Sequence, residues 1–93
     1  MTTHTIHKYP LQILPTQEIQ MPDGAKILSV QFQRGELQMW AQHDTASIKK
    51  TSRTIDIIGT GATFRDGLVK PRRHLATLQQ QGESVVWHVF ERA

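Results

Sequence analysis

The residues of this sequence that could do chemistry are basic side chains gathered in one third of the chain. Between Lys49 and His74 there are seven Lys or Arg residues against two Asp, whereas the remainder holds four basic and six acidic residues. Arg72 and Arg73 are adjacent, and guanidinium groups form paired hydrogen bonds with phosphates and carboxylates. This asymmetry predicts an anionic partner, either a nucleotide-like small molecule, a nucleic acid or an acidic protein surface. The alternative is a pair of solvated loops that keep the protein soluble.

A glycine-containing loop, Gly59-Thr60-Gly61, precedes the basic connection that runs from Phe64 to Arg73. Small residues let backbone N–H groups approach an anion, but the spacing is not that of a dinucleotide-binding fingerprint and no helix is predicted after it. A strand end or β-bulge is the competing interpretation. Because the loop leads into the connection, we expect both near one ligand. The predicted ligand-binding residues are Gly59, Thr60, Gly61, Arg65, Lys70, Arg72, Arg73 and His88.

The adjacent positions of Arg72 and Arg73 limit how the two side chains can bind one ligand. In an extended segment Arg72 and Arg73 point to opposite sides, so both can hold one ligand only where the chain curls. We expect both side chains to be exposed, and their joint replacement by Ala to leave the fold intact.

His88 is the polar residue in the otherwise apolar run from Val85 to Phe90. It is either a half-buried histidine satisfied by its neighbours or a ligand contact beside aromatic residues. His4 and His7 would point to opposite faces of a strand and make a poor chelate. No catalytic or metal-binding motif occurs, so we expect no enzyme activity, no metal and no cofactor.

Composition sets further bounds. The chain of 93 residues is 38% hydrophobic, which predicts one domain with a thin core. With no cysteine, disulfides and thiolate sites are excluded. No apolar run approaches the ~18 residues of a transmembrane helix, and the first residues lack an apolar signal segment. We therefore expect a cytoplasmic protein without membrane contact.

Period-two alternation organises the chain around a hairpin from Ala25 to His43. Leu28, Val30 and Phe32 are predicted to face the core on its first arm, and Gly35 supplies the positive φ of its turn. Leu37, Met39 and Ala41 face the core on the second arm. An N-terminal edge strand contains Pro10, which cannot donate to a ladder.

The C-terminal third supplies a second hairpin. Residues 74–81 form either a strand or a helix, and the turn at Gly82 favours a strand. The run from Val85 to Phe90 should be a central strand covered on both faces, with Trp87 in the core. Altogether the pattern predicts an all-β domain of about seven strands, a compact antiparallel β-sandwich or partly open barrel, with at most one short helical turn between Asp44 and Ser52. Its edge strand and two-sided apolar strands predict a homodimer or higher homo-oligomer.

Several short motifs are shared with a known group of proteins: Lys8-Tyr9-Pro10-Leu11, Ala25 to Gln31, Leu37 with Trp40-Ala41, Ile55 to Gly61 and Val86 to Glu91. In these segments the chain resembles a family of small uncharacterised proteins found mainly in bacteriophage and prophage genomes. The resemblance implies a phage accessory protein in the cytoplasm of the bacterial host. Such a protein would counter host defence by binding a host effector or by sequestering a nucleotide signal. The alternatives are a nucleic-acid-binding module using residues 49–74 and a minor structural or assembly protein of the virion.

Overall fold

The computed structural model describes residues 2–65, 71–80, 82 and 84–93, and these residues form seven β-strands and no helix. The all-β prediction is confirmed. The strands are β1 (His4–Pro10), β2 (Thr16–Pro22), β3 (Lys26–Gln33), β4 (Glu36–Asp44), β5 (Lys50–Gly59), β6 (Arg72–Gln79) and β7 (Val86–Arg92).

The strands form two antiparallel sheets that pack as a sandwich rather than a closed barrel. The three-stranded sheet has the order β1-β4-β3, and the four-stranded sheet has the order β2-β5-β7-β6. The Cα positions extend over 46 × 35 × 16 Å, which is the flat shape expected of two sheets about 10 Å apart. The core between them is thin, as the composition predicts. No helix in the described part of the chain is long and apolar enough to cross a bilayer.

The hairpin of β3 and β4 is confirmed, with one local difference. Arg34 and Gly35 have φ values of 54° and 79°, so both central residues of the turn adopt the left-handed conformation. The register shifts between Ile27 and Ser29, which makes Leu28 the extra residue of a β-bulge. The prediction that Leu28 faces the core is wrong: it is 44% exposed, and Ile27 packs on the core instead.

The connection between β4 and β5 contains a turn and not a helical segment. The backbone N–H of Ala46 donates to Asp44 Oδ1 at 2.9 Å, and that of Ser47 donates to the Asp44 carbonyl at 3.0 Å. The side chain of Asp44 thereby offers the backbone an alternative to helical hydrogen bonds. For residues 74–79 the strand prediction is confirmed, because they belong to β6.

The core is formed by one side of each sheet, with Met21, Met39, Ile55 and Val89 fully buried. β7 is central in its sheet, as predicted, but its two faces differ. Val89 is buried on the inward face, where Trp87 is only partly buried and packs against the core. His88 and Phe90 are half-buried on the outward face, so the expectation of full cover on both faces is wrong.

Candidate ligand-binding site

The adjacent arginines Arg72 and Arg73 open β6 and diverge to opposite faces of the four-stranded sheet. Arg72 Nε donates to Asp56 Oδ2 at 2.6 Å on the outward face, whereas Arg73 Nη2 donates to Glu91 Oε1 at 3.1 Å on the inward face. Their exposures differ accordingly, because the Arg72 side chain is 12% exposed and that of Arg73 is 65% exposed. The expectation that both are exposed is therefore wrong for Arg72, which is covered by its partners. A single ligand cannot contact both without rearrangement of the strand.

On the outward face Asp56 lies between two arginines. Arg92 Nε also donates to Asp56 Oδ2, at 2.8 Å, and the Asp56 side chain is only 3% exposed. Burial of Asp56 acts to raise its pKa, but the hydrogen bonds from Arg92 and Arg72 outweigh it and hold the pKa below the ordinary value of 3.8. The three side chains, the outer triad, therefore carry one surplus positive charge.

Arg72 also contacts the segment after β5, at Phe64 and Arg65, on this face. Its Nη1 donates to the carbonyl of Arg65 at 3.1 Å, and its guanidinium lies 5.6 Å from the centroid of the Phe64 ring. That distance is within cation–π range. Phe64 is nevertheless 56% exposed, and Arg65 is exposed as well. The predicted ligand residue Lys70 lies outside the described residues.

The inward face carries a second arrangement of the same kind, the inner triad of Arg53, Glu91 and Arg73. Arg53 forms two bonds to the carboxylate, Nε to Oε2 at 2.5 Å and Nη2 to Oε1 at 3.0 Å, and Arg53 Nη1 also donates to the Ala25 carbonyl. This triad joins the two sheets, because Ala25 directly precedes β3 and Arg53 is in β5. Arg73 thus lies apart from Arg72 and Arg65.

The glycine loop has a conformation that packing largely explains. A Cβ on Gly59 would lie 3.2 Å from Trp87 Cζ3, so a larger residue would push against the ring. The N–H groups of Thr60 and Ala62 already donate to the carbonyls of Val86 and Gly59, both at 3.0 Å. Gly61 has a φ of +90°, which favours glycine. The geometry supports the strand-end interpretation, and contact of this loop with an anion stays a prediction.

His88 belongs to a hydrogen-bonded chain that crosses the outward face. Its Nε2 lies 2.7 Å from Thr60 Oγ1 and its Nδ1 lies 3.0 Å from Thr77 Oγ1, which in turn lies 2.8 Å from His74 Nε2. Hydroxyl groups donate or accept as required, so both ring nitrogens of His88 are satisfied in either tautomer. This is the half-buried, satisfied histidine of the first interpretation. The described residues contain no group of three or more side chains suited to a metal ion.

Aromatic and basic side chains meet on the outward face of the four-stranded sheet. The rings of His74 and Phe90 are in edge-to-face contact, with centroids 5.4 Å apart. Phe90 pairs with Asp56 across the strands and therefore lies beside the outer triad. We call this surface the aromatic–basic face, and it consists of Phe64, Arg65, His74, His88, Phe90 and Arg92.

A cavity of about 490 Å³ adjoins the aromatic–basic face and shares Phe64 and Arg92 with it. Its volume is within the range of small-molecule sites. Apolar side chains supply most of its walls, and its charged lining residues are those of the outer triad. It is lined by Ile13–Thr16, Asp56–Gly59, Ala62–Phe64, Arg72, Trp87 and Arg92.

Four of the ligand-binding residues predicted from the sequence lie on or beside the aromatic–basic face: Thr60, Arg65, Arg72 and His88. Sequence reasoning missed Asp56, Arg92, Phe90 and the histidine at position 74. The expectation for an extended segment holds, because Arg72 and Arg73 are in β6 and bond to different carboxylates on opposite faces. The sequence contained one indication that Phe90 and Arg92 belong to the site. They follow His88 at a spacing of two, which puts all three side chains on one face of a strand.

A family model described as a domain of unknown function, DUF7352, matches residues 2–93. No curated protein and no solved structure matches the chain. The expectation of a small uncharacterised family is thereby supported at the level of the domain. Since the match spans nearly all of the sequence, the chain belongs to the DUF7352 family.

Proposed function

We propose that this protein is a binding protein that captures an anionic, nucleotide-like small molecule on the aromatic–basic face. The observation that carries the proposal is the position of the Phe64, His74 and Phe90 rings beside the surplus positive charge of the outer triad. Rings offer stacking surfaces to a base, and arginines offer forked donors to a phosphate. The adjoining cavity gives such a ligand a partly enclosed place to bind.

We expect different roles for the three arginines, because they differ in exposure and in the hydrogen bonds they already make. Arg92 is 40% exposed and shares Asp56 with Arg72, so its guanidinium can turn part of its donors to a ligand without abandoning the carboxylate. Arg65 is exposed at the rim of the same face. Arg72 is nearly covered and already uses two of its nitrogens, so it is a positioning residue that holds Phe64 and Arg65 in place.

The energies of these contacts set an upper limit on the affinity. Stacking of one base on an aromatic side chain contributes roughly 1 to 3 kcal/mol, and a charge-assisted hydrogen bond contributes roughly 1.5 to 3 kcal/mol. One stacked base and two phosphate contacts contribute roughly 4 to 9 kcal/mol before the free-energy cost of association is subtracted, so micromolar binding is the strongest that they can give. The affinity is greatest where the phosphate displaces little of the Asp56 pairing.

The resemblance to phage and prophage proteins gives the proposal its biological setting. In that setting the protein acts in the cytoplasm of the bacterial host and counters a defence by sequestering a nucleotide signal. Sequestration requires binding and no reaction, so a site without a catalytic arrangement is sufficient. Binding of a host effector protein instead would use the same context but a different surface.

The test is isothermal titration of the full chain with mononucleotides and cyclic dinucleotides. Arg92→Gln should weaken binding at least tenfold, because one charge-assisted contact is lost while Asp56 keeps Arg72. The matched control is Arg34→Gln in the β3–β4 turn, which removes the same charge from a residue outside both the cavity and the aromatic–basic face and should leave affinity unchanged. Equal effects of the two variants, or no binding tighter than about 1 mM, would overturn the proposal.

A second titration separates a small ligand from a nucleic acid. If single-stranded oligonucleotides bind more tightly than mononucleotides, and their affinity falls steeply with salt, the partner is a nucleic acid. A binding constant that changes little with strand length supports the small ligand.

A further inference from the structure

The outward face of the three-stranded sheet is uncovered, and the structure points to a second copy of this chain as its partner. Residues 60–65 turn back over the outward face of the four-stranded sheet. In the described part of the chain, the side chains on the outward face of the three-stranded sheet bond only within β1, β3 and β4, apart from Asp44 at its end, which accepts from the N–H of Ala46. We propose that two copies stack these faces about a two-fold axis. The face comprises His4, Ile6, Lys8, Pro10, Lys26, Ser29, Gln31, Gln33, Glu36, Gln38, Trp40, Gln42 and Asp44.

A large aromatic residue occupies the middle of this face. Trp40 is on the central strand β4, pairs with Lys8 and Ser29, and is only half-buried by them. Ile6 is diagonal to it on β1 and is 55% exposed. The bulge residue Leu28, opposite Trp40, is 44% exposed. Aromatic residues at the centre of a polar-rimmed patch are typical of protein interfaces.

Charge on this face favours a like partner over an anionic one. Lys8 and Lys26 are balanced by Glu36 and Asp44, so the face is neutral although the whole chain has a net charge of +3. Two copies therefore meet here without the repulsion that the basic parts of the chain would produce.

The polar residues of the face are also self-complementary. Gln31, Gln33 and Gln42 each carry a donor and an acceptor, so a glutamine of one copy can pair with a glutamine of the other. Lys8 Nζ donates to Gln33 Oε1 at 2.9 Å. Gln38 is only 6% exposed, so it is covered within its own copy and does not take part in this pairing.

The free edge of β1 is a less suitable contact than the face. Lys8 and Pro10 lie on this edge strand, and lysine and proline are the residues with which proteins block strand addition. Side-by-side pairing through β1 would also leave Trp40 uncovered. The face is therefore the part of the sheet that a second copy covers.

The size of the face predicts a weak dimer. Nine residues of β4 extend about 30 Å and three strands cover about 14 Å, which gives roughly 400 to 600 Å² for each copy. The total of about 1,000 Å² is at the lower limit of specific interfaces. We therefore expect dissociation in the micromolar range, with monomers at high dilution.

Sedimentation velocity of the full chain from about 1 to 500 µM tests this inference. The wild type should change from 10.6 kDa monomer to dimer across that range. Ile6→Lys should raise the dimer dissociation constant at least tenfold, because it puts a charged side chain into the covered face of each copy and removes an exposed apolar one. The matched control Ile48→Lys alters a residue that is 91% exposed in the β4–β5 connection and should change nothing.

Two results would overturn the inference: a monomer at every concentration, or equal dimerisation of Ile6→Lys and Ile48→Lys. Circular dichroism of both variants checks that the sheets are intact. Trp40→Gln is a second face variant that should also raise the dissociation constant. Nucleotide binding is on the other sheet, so failure of the dimer leaves that measurement unaffected, and the reverse holds too.

Discussion

Replacement of Arg72 and of Arg73 by alanine, one at a time, should give very different losses of stability although the two residues are adjacent. Arg72 is 12% exposed, donates to the buried carboxylate of Asp56 at 2.6 Å and bonds the carbonyl of Arg65. Arg73 is 65% exposed and makes one bond to Glu91, which keeps two bonds from Arg53. Only the first change removes a contact that the protein shields from water.

The expected losses in the free energy of unfolding follow from how deeply each arginine–carboxylate pair is buried. A buried carboxylate stripped of every partner destabilises a protein by about 3 to 5 kcal/mol, but Asp56 retains Arg92. We therefore expect Arg72→Ala to cost about 2 to 3 kcal/mol, the loss of one charge-assisted bond and of the contact with Phe64. Exposed ion pairs contribute about 0 to 1 kcal/mol, so Arg73→Ala should cost less than about 1 kcal/mol.

Urea unfolding followed by Trp fluorescence measures both values, with Arg72→Lys as an intermediate that keeps the charge and loses the fork. For a domain of this size the Arg72→Ala loss corresponds to a fall in Tm of roughly 10 to 20 °C. Equal free energies of unfolding for the two alanine variants would refute the reasoning, because burial would then not decide the strength of these pairs.

Two further predictions concern Asp56 and Gly59. The pKa of Asp56 is lower in the folded chain than its ordinary value of 3.8, so the ionised carboxylate stabilises the fold above about pH 4, and this contribution is lost as pH falls towards the folded pKa. Urea unfolding at several pH values should show the loss as a falling free energy of unfolding. Asp56→Asn should be less stable than the wild type at neutral pH, and its free energy of unfolding should change less between neutral and acid pH. Gly59→Ala should destabilise by about 1 to 3 kcal/mol and alter the emission of Trp87, whose ring carbon Cζ3 lies 3.2 Å from the added Cβ. An unchanged spectrum and stability would mean that the ring moves freely.

The parts of the fold that follow from local chemistry were predictable. Alternation over Leu37, Met39 and Ala41 assigned the buried face of β4, and Gly35 located the turn. The turn at Gly82, with a φ of +74°, likewise favoured a strand over a helix before it. In each case the signal is contained in a few consecutive residues.

The bulge at Leu28 was not predictable from the same pattern. An apolar residue in an alternating run is predicted to face the core. A bulge adds one residue to the strand and reverses the facing of those before it, and no residue type in the segment indicates where the bulge lies. The ion pairs of Asp56 and Glu91 were also missed. Their partners are 16 to 38 residues away in sequence, and only the pairing of β5, β6 and β7 brings them together.

The surplus charge between Lys49 and His74 has a different meaning in space than along the chain. Alternation in β6 sends Arg72 to one face and Arg73 to the other, and Asp56 and Glu91 each neutralise one of the two arginines that they hold. Each triad keeps one positive charge, on opposite faces of one sheet. A long nucleic acid needs a continuous basic path, and among the described residues the divided charge of the two triads does not provide one. One surplus charge beside exposed rings suits a ligand with one or two phosphates, and this division is why we favour a small nucleotide over a polymer.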